Sequence, residues 1–337
     1  MKHILFGGDG FVGRQLAKRL LNEGEEVVVA DISDANRSMY SKAMFVKCDV
    51  TDLAAVAAVP MSADDMVYNL SAKMLSPIQV RAKRHEFFYP VNYDGTKNIM
   101  EVMGNTGASR LVHFTTDMVY GHTVTYPMTE GHPVSPLGEY GQSKLDTEIL
   151  AEEWRTRGMN ITLFRPRLII GPGRLGILAK LFKLIDANLP VPMIGSGKNP
   201  YQFISVFDCA DAAHRAWKAN VPNEAYNLGS LNPPPVRKLL GDLVEHAGSK
   251  SMLIPTWGLA VKKTLDFLDA INMPLMDPEQ YLIADEMCVL DVSKGERDLG
   301  WVPAYRDEDM LIAAYDEYRA QKSVNSSQFN GNAEPAN

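Results

Sequence analysis

The chain opens on a short apolar strand pattern, Lys2 to Phe6, that runs into Gly7-Gly8-Asp9-Gly10-Phe11-Val12-Gly13 and then into a helical pattern with Val12, Leu16 and Leu20 on one face. No other stretch restricts the fold as much. Glycines let the backbone turn tightly and approach a pyrophosphate, and the helix N-terminus beyond them offers free N–H groups to an anion. Gly7, Gly10, Phe11, Val12 and Gly13 are therefore candidate dinucleotide contacts. Asp9 suits phosphate poorly, so its side chain must point away or cap the helix. A second strand, Glu26 to Ala30, ends in Asp31, whose carboxylate can accept both hydroxyls of an adenine ribose and repels a 2′-phosphate. That favours NAD over NADP.

The pattern then repeats. A strand from Met44 to Cys48 leads to Asp49 and Val50, where an adenine edge would lie, and one from Met66 to Leu70 leads to Ser71 and Ala72. Small residues at a strand's carboxyl end let a cofactor cross close to the backbone, which adds Leu70, Ser71 and Ala72 to the candidates. A helix containing Asn92, Gly95 and Thr96 follows, then strands from Leu111 to Thr115 and from Ile161 to Arg165, the latter ending at Pro166. Such alternation predicts an α/β protein, a Rossmann-type doubly wound parallel sheet with ligands at the strands' carboxyl ends. Further on, the pattern predicts a helix over Leu175–Asn188, a strand over Phe203–Phe207, a helix over Asp208–Lys218, a strand over Tyr226–Gly229 and an amphipathic helix over Leu259–Leu268. Residues 1–170, with 203–230 returning to them, form the expected dinucleotide domain. Residues 171–202 and 231–320 form a smaller, mostly helical substrate domain. The polar run 323–337 reads as a disordered tail, and the basic cluster Arg81 to His85 as a solvated face.

Chemistry is suggested by Tyr140-Gly141-Gln142-Ser143-Lys144. A Tyr and a Lys four residues apart on a helix stack one turn apart on one face. A phenol with an ordinary pKa of about 10 is a poor base at neutral pH, and an ammonium beside it favours the phenolate. Thr116, 24 residues before the tyrosine, follows the fifth strand and can hydrogen-bond the substrate oxygen that Tyr140 contacts. Alone, Thr115 and Thr116 are ordinary β-branched strand residues.

Composition excludes other classes. A net charge of −7 without a basic stripe argues against a nucleic acid partner. No apolar run reaches the length of a membrane span and no signal-peptide core follows Met1, so a soluble, cytoplasmic protein without a membrane partner is expected. Cys48, Cys209 and Cys288 form no CxxC, and the seven histidines form no HxxxH pair, so no metal site is expected.

Together these residues make the chain resemble the extended short-chain dehydrogenase/reductase family of NAD-dependent sugar epimerases, dehydratases and related reductases. The resemblance covers about residues 1–320 and rests on the glycine turn, Asp31, Asp49, Asn69 to Ala72, Asn92 with Gly95-Thr96, the stretch Thr115 to Gly121, the Tyr140–Lys144 helix, Arg165-Pro166 followed by Gly171-Pro172-Gly173, and Asp291 to Lys294 with Leu299-Gly300-Trp301. It implies NAD as cofactor, with Asn92, Tyr140, Lys144 and Pro166 among its contacts. It also implies Tyr140 as acid/base, Lys144 on the nicotinamide ribose, Thr116 as the hydroxyl partner, a small-molecule substrate, and a homodimer through the helices after Asn92 and around Tyr140. Members that dehydrate nucleotide sugars carry Asp-Glu after the catalytic Thr; here Met118 stands in the glutamate position, which disfavours elimination. Where similar epimerases grip a diphosphate with two arginines and an asparagine, this chain aligns Tyr201, Tyr281 and Leu168. Arg167, Arg174, Lys180 and Lys198 are candidate replacements.

Three functions fit. The first is an NAD-dependent epimerase or ketoreductase acting on a nucleotide-activated sugar. The second is a 3β-hydroxysteroid dehydrogenase-like enzyme for an apolar substrate, which the three uncharged positions favour. The third, a cofactor-binding protein without chemistry, is disfavoured by the presence of Thr116, Tyr140 and Lys144.

Overall fold

Seven parallel strands form the central sheet, in the spatial order β3-β2-β1-β4-β5-β6-β10, in a computed structural model that describes residues 1–330 apart from Leu175 and Ile177. The strands are β1 (Lys2–Phe6), β2 (Glu26–Asp31), β3 (Met44–Lys47), β4 (Met66–Asn69), β5 (Arg110–Phe114), β6 (Asn160–Pro166) and β10 (Ala225–Leu228). Alternate side chains go to opposite faces, as the two-residue period of a strand requires. Leu5, Val27, Val29, Met66, Tyr68, Val112 and Phe164 pack on one side against α1 (Phe11–Asn22) and α7 (Val206–Lys218). Ile4, Phe6, Val28, Ala30, Val67, Leu111, Ile161 and Leu163 pack on the other, against α2 (Leu53–Ala57), α4 (Gly95–Thr106) and α5 (Glu139–Thr156). Burial on both faces is why the strands read as continuous apolar runs.

A second core lies outside the sheet. It joins α6 (Leu178–Asp186), β8 (Val191–Met193), α8 (Val236–His246) and α12 (Asp307–Asn330) around Phe182, Ile185, Leu239, Leu243, Leu311 and Tyr315. Two short parallel pairs accompany it: β7 (Leu168–Ile170) with β9 (Phe203–Ser205), and β8 with β11 (Leu253–Pro255). Three more helices complete the C-terminal part, α9 (Gly258–Ala270), α10 (Pro278–Tyr281) and α11 (Ser293–Leu299), and α3 (Arg84–Tyr89) precedes a π-helical turn over Pro90–Asp94.

Three expectations change. The strand expected over Phe203–Phe207 stops at Ser205, whose hydroxyl accepts from Phe207 N at 3.1 Å and starts α7 at Val206. The tail expected from Ser323 begins later: α12, anchored by Met310, Leu311, Ala314, Tyr315 and Tyr318 in the second core, continues to Asn330, and 331–337 lie outside the described residues. Finally, the basic cluster is not uniformly solvated. Arg84 is buried; its guanidinium pairs with both oxygens of Asp269, and its Nε lies 3.3 Å from Asp277 Oδ2. Among the described residues no helix is long and apolar enough to cross a membrane.

Candidate active site

A cavity of about 440 Å³ opens at the carboxyl ends of the central strands. Gly7, at φ +74°, turns the chain out of β1 so closely that a Cβ there would lie 2.6 Å from Ser71 N; a Cβ on Gly13 would meet Gly7 O at 2.4 Å. Only glycine allows both approaches. Helix α1 starts after Gly10 with no side-chain cap, and Phe11 and Val12 of its first turn line the cavity. This cradle fits a pyrophosphate on a helix N-terminus. Asp9 points away, as expected: its carboxylate accepts from Ser33 Oγ at 2.9 Å, Asn36 N at 2.9 Å and Tyr40 OH at 2.6 Å. Asp31 is held in the wall by Asp9 N (3.0 Å) and Ser33 N (3.1 Å), and burial raises its carboxyl above the ordinary range.

Of the residues singled out from sequence, Gly7, Gly10, Phe11, Val12, Asp31, Asp49, Val50, Leu70, Ser71, Ala72, Thr116, Tyr140, Lys144 and Pro166 line this cavity. Gly13 and Asn92 do not. Gly13 packs behind the turn, and Asn92 sits behind the wall in the π-helical turn, where its side chain accepts from Lys73 N (2.8 Å) and donates to Lys73 O (3.2 Å) and Ser143 Oγ (3.0 Å). Asn92 thus pins the Lys73 loop to the Tyr140 helix.

Tyr140 is 3% exposed, with its ring 5.6 Å from that of Phe88. Its hydroxyl donates to Met74 Sδ at 3.4 Å; a thioether is a weak acceptor, so a better one can displace it. Burial raises the phenol well above its ordinary range, countered in part by the Thr116 hydroxyl. The groups that lower it are Thr116 and Arg174 rather than Lys144, so the depression expected from the lysine does not appear. Lys144 donates to Phe114 O at 3.0 Å, and burial pushes its ammonium down to about 8. Thr116 Oγ1 accepts from Met118 N at 3.2 Å and donates to Asp117 Oδ1 at 3.3 Å. One turn past Lys144, Glu148 accepts from Thr115 Oγ1 (2.7 Å) and from Arg165 Nη2 (2.6 Å), which ties α5 to the ends of β5 and β6.

The far end of the cavity is lined by Met74, Leu75, Met118, Leu168, Ile169, Arg174 and Gln280. Of the candidate phosphate cations, Arg167 is buried and paired with Asp117, with Tyr201 stacked 5.5 Å away. Lys180 donates to Leu275 O at 3.2 Å, and neither it nor Lys198 lines the cavity. Arg174 remains. Tyr281, 1% exposed, gives its hydroxyl to Asp266. Sequence reasoning missed Met74 and Leu75, on the loop after β4, and Ile169 and Gln280, on the short elements β7 and α10, none of which carries a local signature.

A glycine cradle, an acid at the second strand's end and a Tyr-Lys pair converging on one cavity define a Rossmann-type nicotinamide-dinucleotide enzyme. Residues 4–229 match the NAD dependent epimerase/dehydratase family, and the chain belongs to that family. It is 31% identical, over 95% of its length and 79% of the relative's, to an uncharacterized protein of Sinorhizobium fredii. It is 25% identical to the UDP-glucose 4-epimerase of Lactobacillus helveticus (93% of this chain, 95% of that one) and 25% identical to the 2-alkyl-3-oxoalkanoate reductase of Stenotrophomonas maltophilia (92% and 97%). The crystal structure of a UDP-glucose-4-epimerase from Stenotrophomonas maltophila with bound NAD and formylated UDP-arabinopyranose superposes with a TM-score of 0.77 at 21% identity, covering 96% of this chain and 99% of that one.

Proposed function

We propose that the protein interconverts a secondary alcohol and a ketone on a nucleotide-activated sugar, by epimerisation or net oxidation and reduction, with Tyr140 as acid/base. The observation that carries this reading is the meeting of Thr116, Tyr140 and Lys144 with the glycine cradle in one cavity. NAD, when bound, supplies a reversible hydride acceptor. The chain does the rest. Gly7, Gly10 and the start of α1 take the pyrophosphate, Asp31 the adenosine ribose, and Lys144 the second ribose. Tyr140 exchanges the proton of the reacting hydroxyl, and Thr116 orients the same oxygen. Residues 171–202 and 231–320 serve as the substrate domain, and two copies pair through α4 and α5.

Asp31→Asn is expected to lower NAD affinity about tenfold, the loss of one charge-assisted hydrogen bond, and to narrow the margin over NADP. Calorimetry that finds both affinities unchanged would remove Asp31 from the ribose.

A second reading, an apolar ketone or alcohol as substrate, is favoured by Leu168, Met74 and Met118 in the cavity and by the loss of Arg167 to Asp117. Of the four candidate cations, Arg174 lines the cavity and has no acid partner among the described residues, and Lys73 lines the cavity as well. Asp117 is present but paired with Arg167, and Met118 stands in the glutamate position, which disfavours elimination, so no 4-keto-6-deoxy product is expected from a dTDP- or UDP-hexose. Thermal unfolding with NAD, NADP, UDP-, dTDP- and GDP-sugars and sterols separates the readings, because a ligand that binds only the native state raises the midpoint. With NAD present, a further rise from a nucleotide sugar supports the first reading; a rise from sterols alone replaces it with the second.

A further inference from the structure

Helix α5, which carries Tyr140, has no side-chain cap of its own, since Gly138 stands at its N-cap. The cap comes from far along the chain. Glu279, on the α10 turn and 1% exposed, accepts from Tyr140 N at 2.9 Å and Gly141 N at 3.1 Å on one oxygen, and from Gly141 N at 2.9 Å on the other. The seat is shaped for it: a Cβ on Gly138 would lie 2.6 Å from Glu279 Oε1, and one on Gly141 2.8 Å from Oε2. The same short segment is pinned a second time. Asp277 caps the turn through Glu279 N at 3.1 Å and faces Arg84, while Phe88, one helical turn beyond Arg84, packs on the ring of Tyr140. Gln280, next in the chain, lines the cavity.

We propose that Glu279 is a positioning residue that ties the docking of the C-terminal segment 277–281 to the placement of the Tyr140 phenol, so that the segment touching substrate also sets the acid/base. The inference rests on Tyr140 being the acid/base. A carboxylate at a helix N-terminus is favoured by the unpaired N–H groups there. Burial, together with Asp277 on its own turn and Asp117 across the site, opposes this and pushes the carboxyl up to about 8; the two backbone donors pull the other way. The other charged groups around it are engaged: Arg84 with Asp269 and Asp277, and Arg167 with Asp117. As pH falls through about 8 a proton occupies one of the two accepting oxygens, so the seat loosens and turnover falls on that limb.

The test uses the full chain and two readouts. Amide hydrogen exchange over 138–144 is expected to speed up about tenfold in Glu279→Ala, while exchange in β1 and β4 stays as in the parent. Turnover is expected to fall about tenfold in Glu279→Ala with KM and NAD affinity within about twofold. Glu279→Gln, which keeps one acceptor but cannot titrate, is expected to exchange as the parent does below about pH 8, more slowly than Glu279→Ala, and to lose the limb near pH 8. Unchanged exchange in Glu279→Ala, or an unaltered pH limb in Glu279→Gln, overturns the proposal. Full activity in Tyr140→Phe instead overturns the catalytic reading and leaves the exchange result standing, so the two failures are distinguishable.

Discussion

Tyr140→Phe is expected to lower turnover by about 10²- to 10⁴-fold, the range typical of losing a general acid or base, while NAD binding survives. The change keeps the ring that packs on Phe88 and deletes only the oxygen, which donates to Met74 Sδ and lies beside the Thr116 hydroxyl. Folding should therefore be unaffected. Lys144→Ala acts differently: it removes the proposed ribose contact and leaves Phe114 O without its donor, so NAD affinity falls together with rate. Thr116→Val keeps the shape and deletes one neutral hydrogen bond, worth about 0.5–1.5 kcal/mol, so its loss of rate is the smallest of the three. Steady-state kinetics and NAD titration on the three variants check the ordering. Near-full activity in Tyr140→Phe would end the assignment of this tyrosine to catalysis.

Arg84→Met is expected to destabilise the fold by about 3–5 kcal/mol, measured by denaturant unfolding. Arg84, Asp269 and Asp277 are all buried, with side chains 7%, 8% and 3% exposed, and removing the cation strands two carboxyls in a poorly solvated site. Neutral pH accentuates the loss. Burial already raises the Asp277 carboxyl while Arg84 holds it down, so without Arg84 its folded pKa climbs further above the unfolded value. A carboxyl raised in this way favours the fold only while protonated, so the variant loses stability as pH rises from about 4, the ordinary Asp value, through the folded pKa. A variant as stable as the parent at pH 7 would mean that the C-terminal segment is not anchored there.

The glycine turn, Asp31 and the Tyr140–Lys144 pair were legible because each is a local pattern whose spacing alone states its geometry. A strand feeding Gly7 into a helix can bend in few ways, and a Tyr and a Lys one turn apart must share a face. What escaped is non-local. Arg84 looked like part of a solvated basic run because its partner Asp269 lies 185 residues on, and nothing in its neighbours announces a buried acid. Glu279 reaches Tyr140 across 139 residues; its only local trace is the pair of glycines, Gly138 and Gly141, that make room for it. Asn92 was singled out through the family resemblance, with Gly95-Thr96, as a cofactor contact. Its targets, Lys73 and Ser143, were not, because they depend on how α4 and α5 pack.

The bonds around Asp9 bear on how this cofactor site could be re-engineered. Its carboxylate holds Ser33, Asn36 and Tyr40, while its backbone N–H holds Asp31, so the glycine turn and the loop after β2 form one hydrogen-bonded block. Replacing Asp31 alone to admit a 2′-phosphate removes an anchor of the turn along with the repelling charge, and the gain for one cofactor is offset by a looser grip on both. A coenzyme swap in this chain has to transplant residues 31–40 together with position 9, as a cassette rather than as a point change.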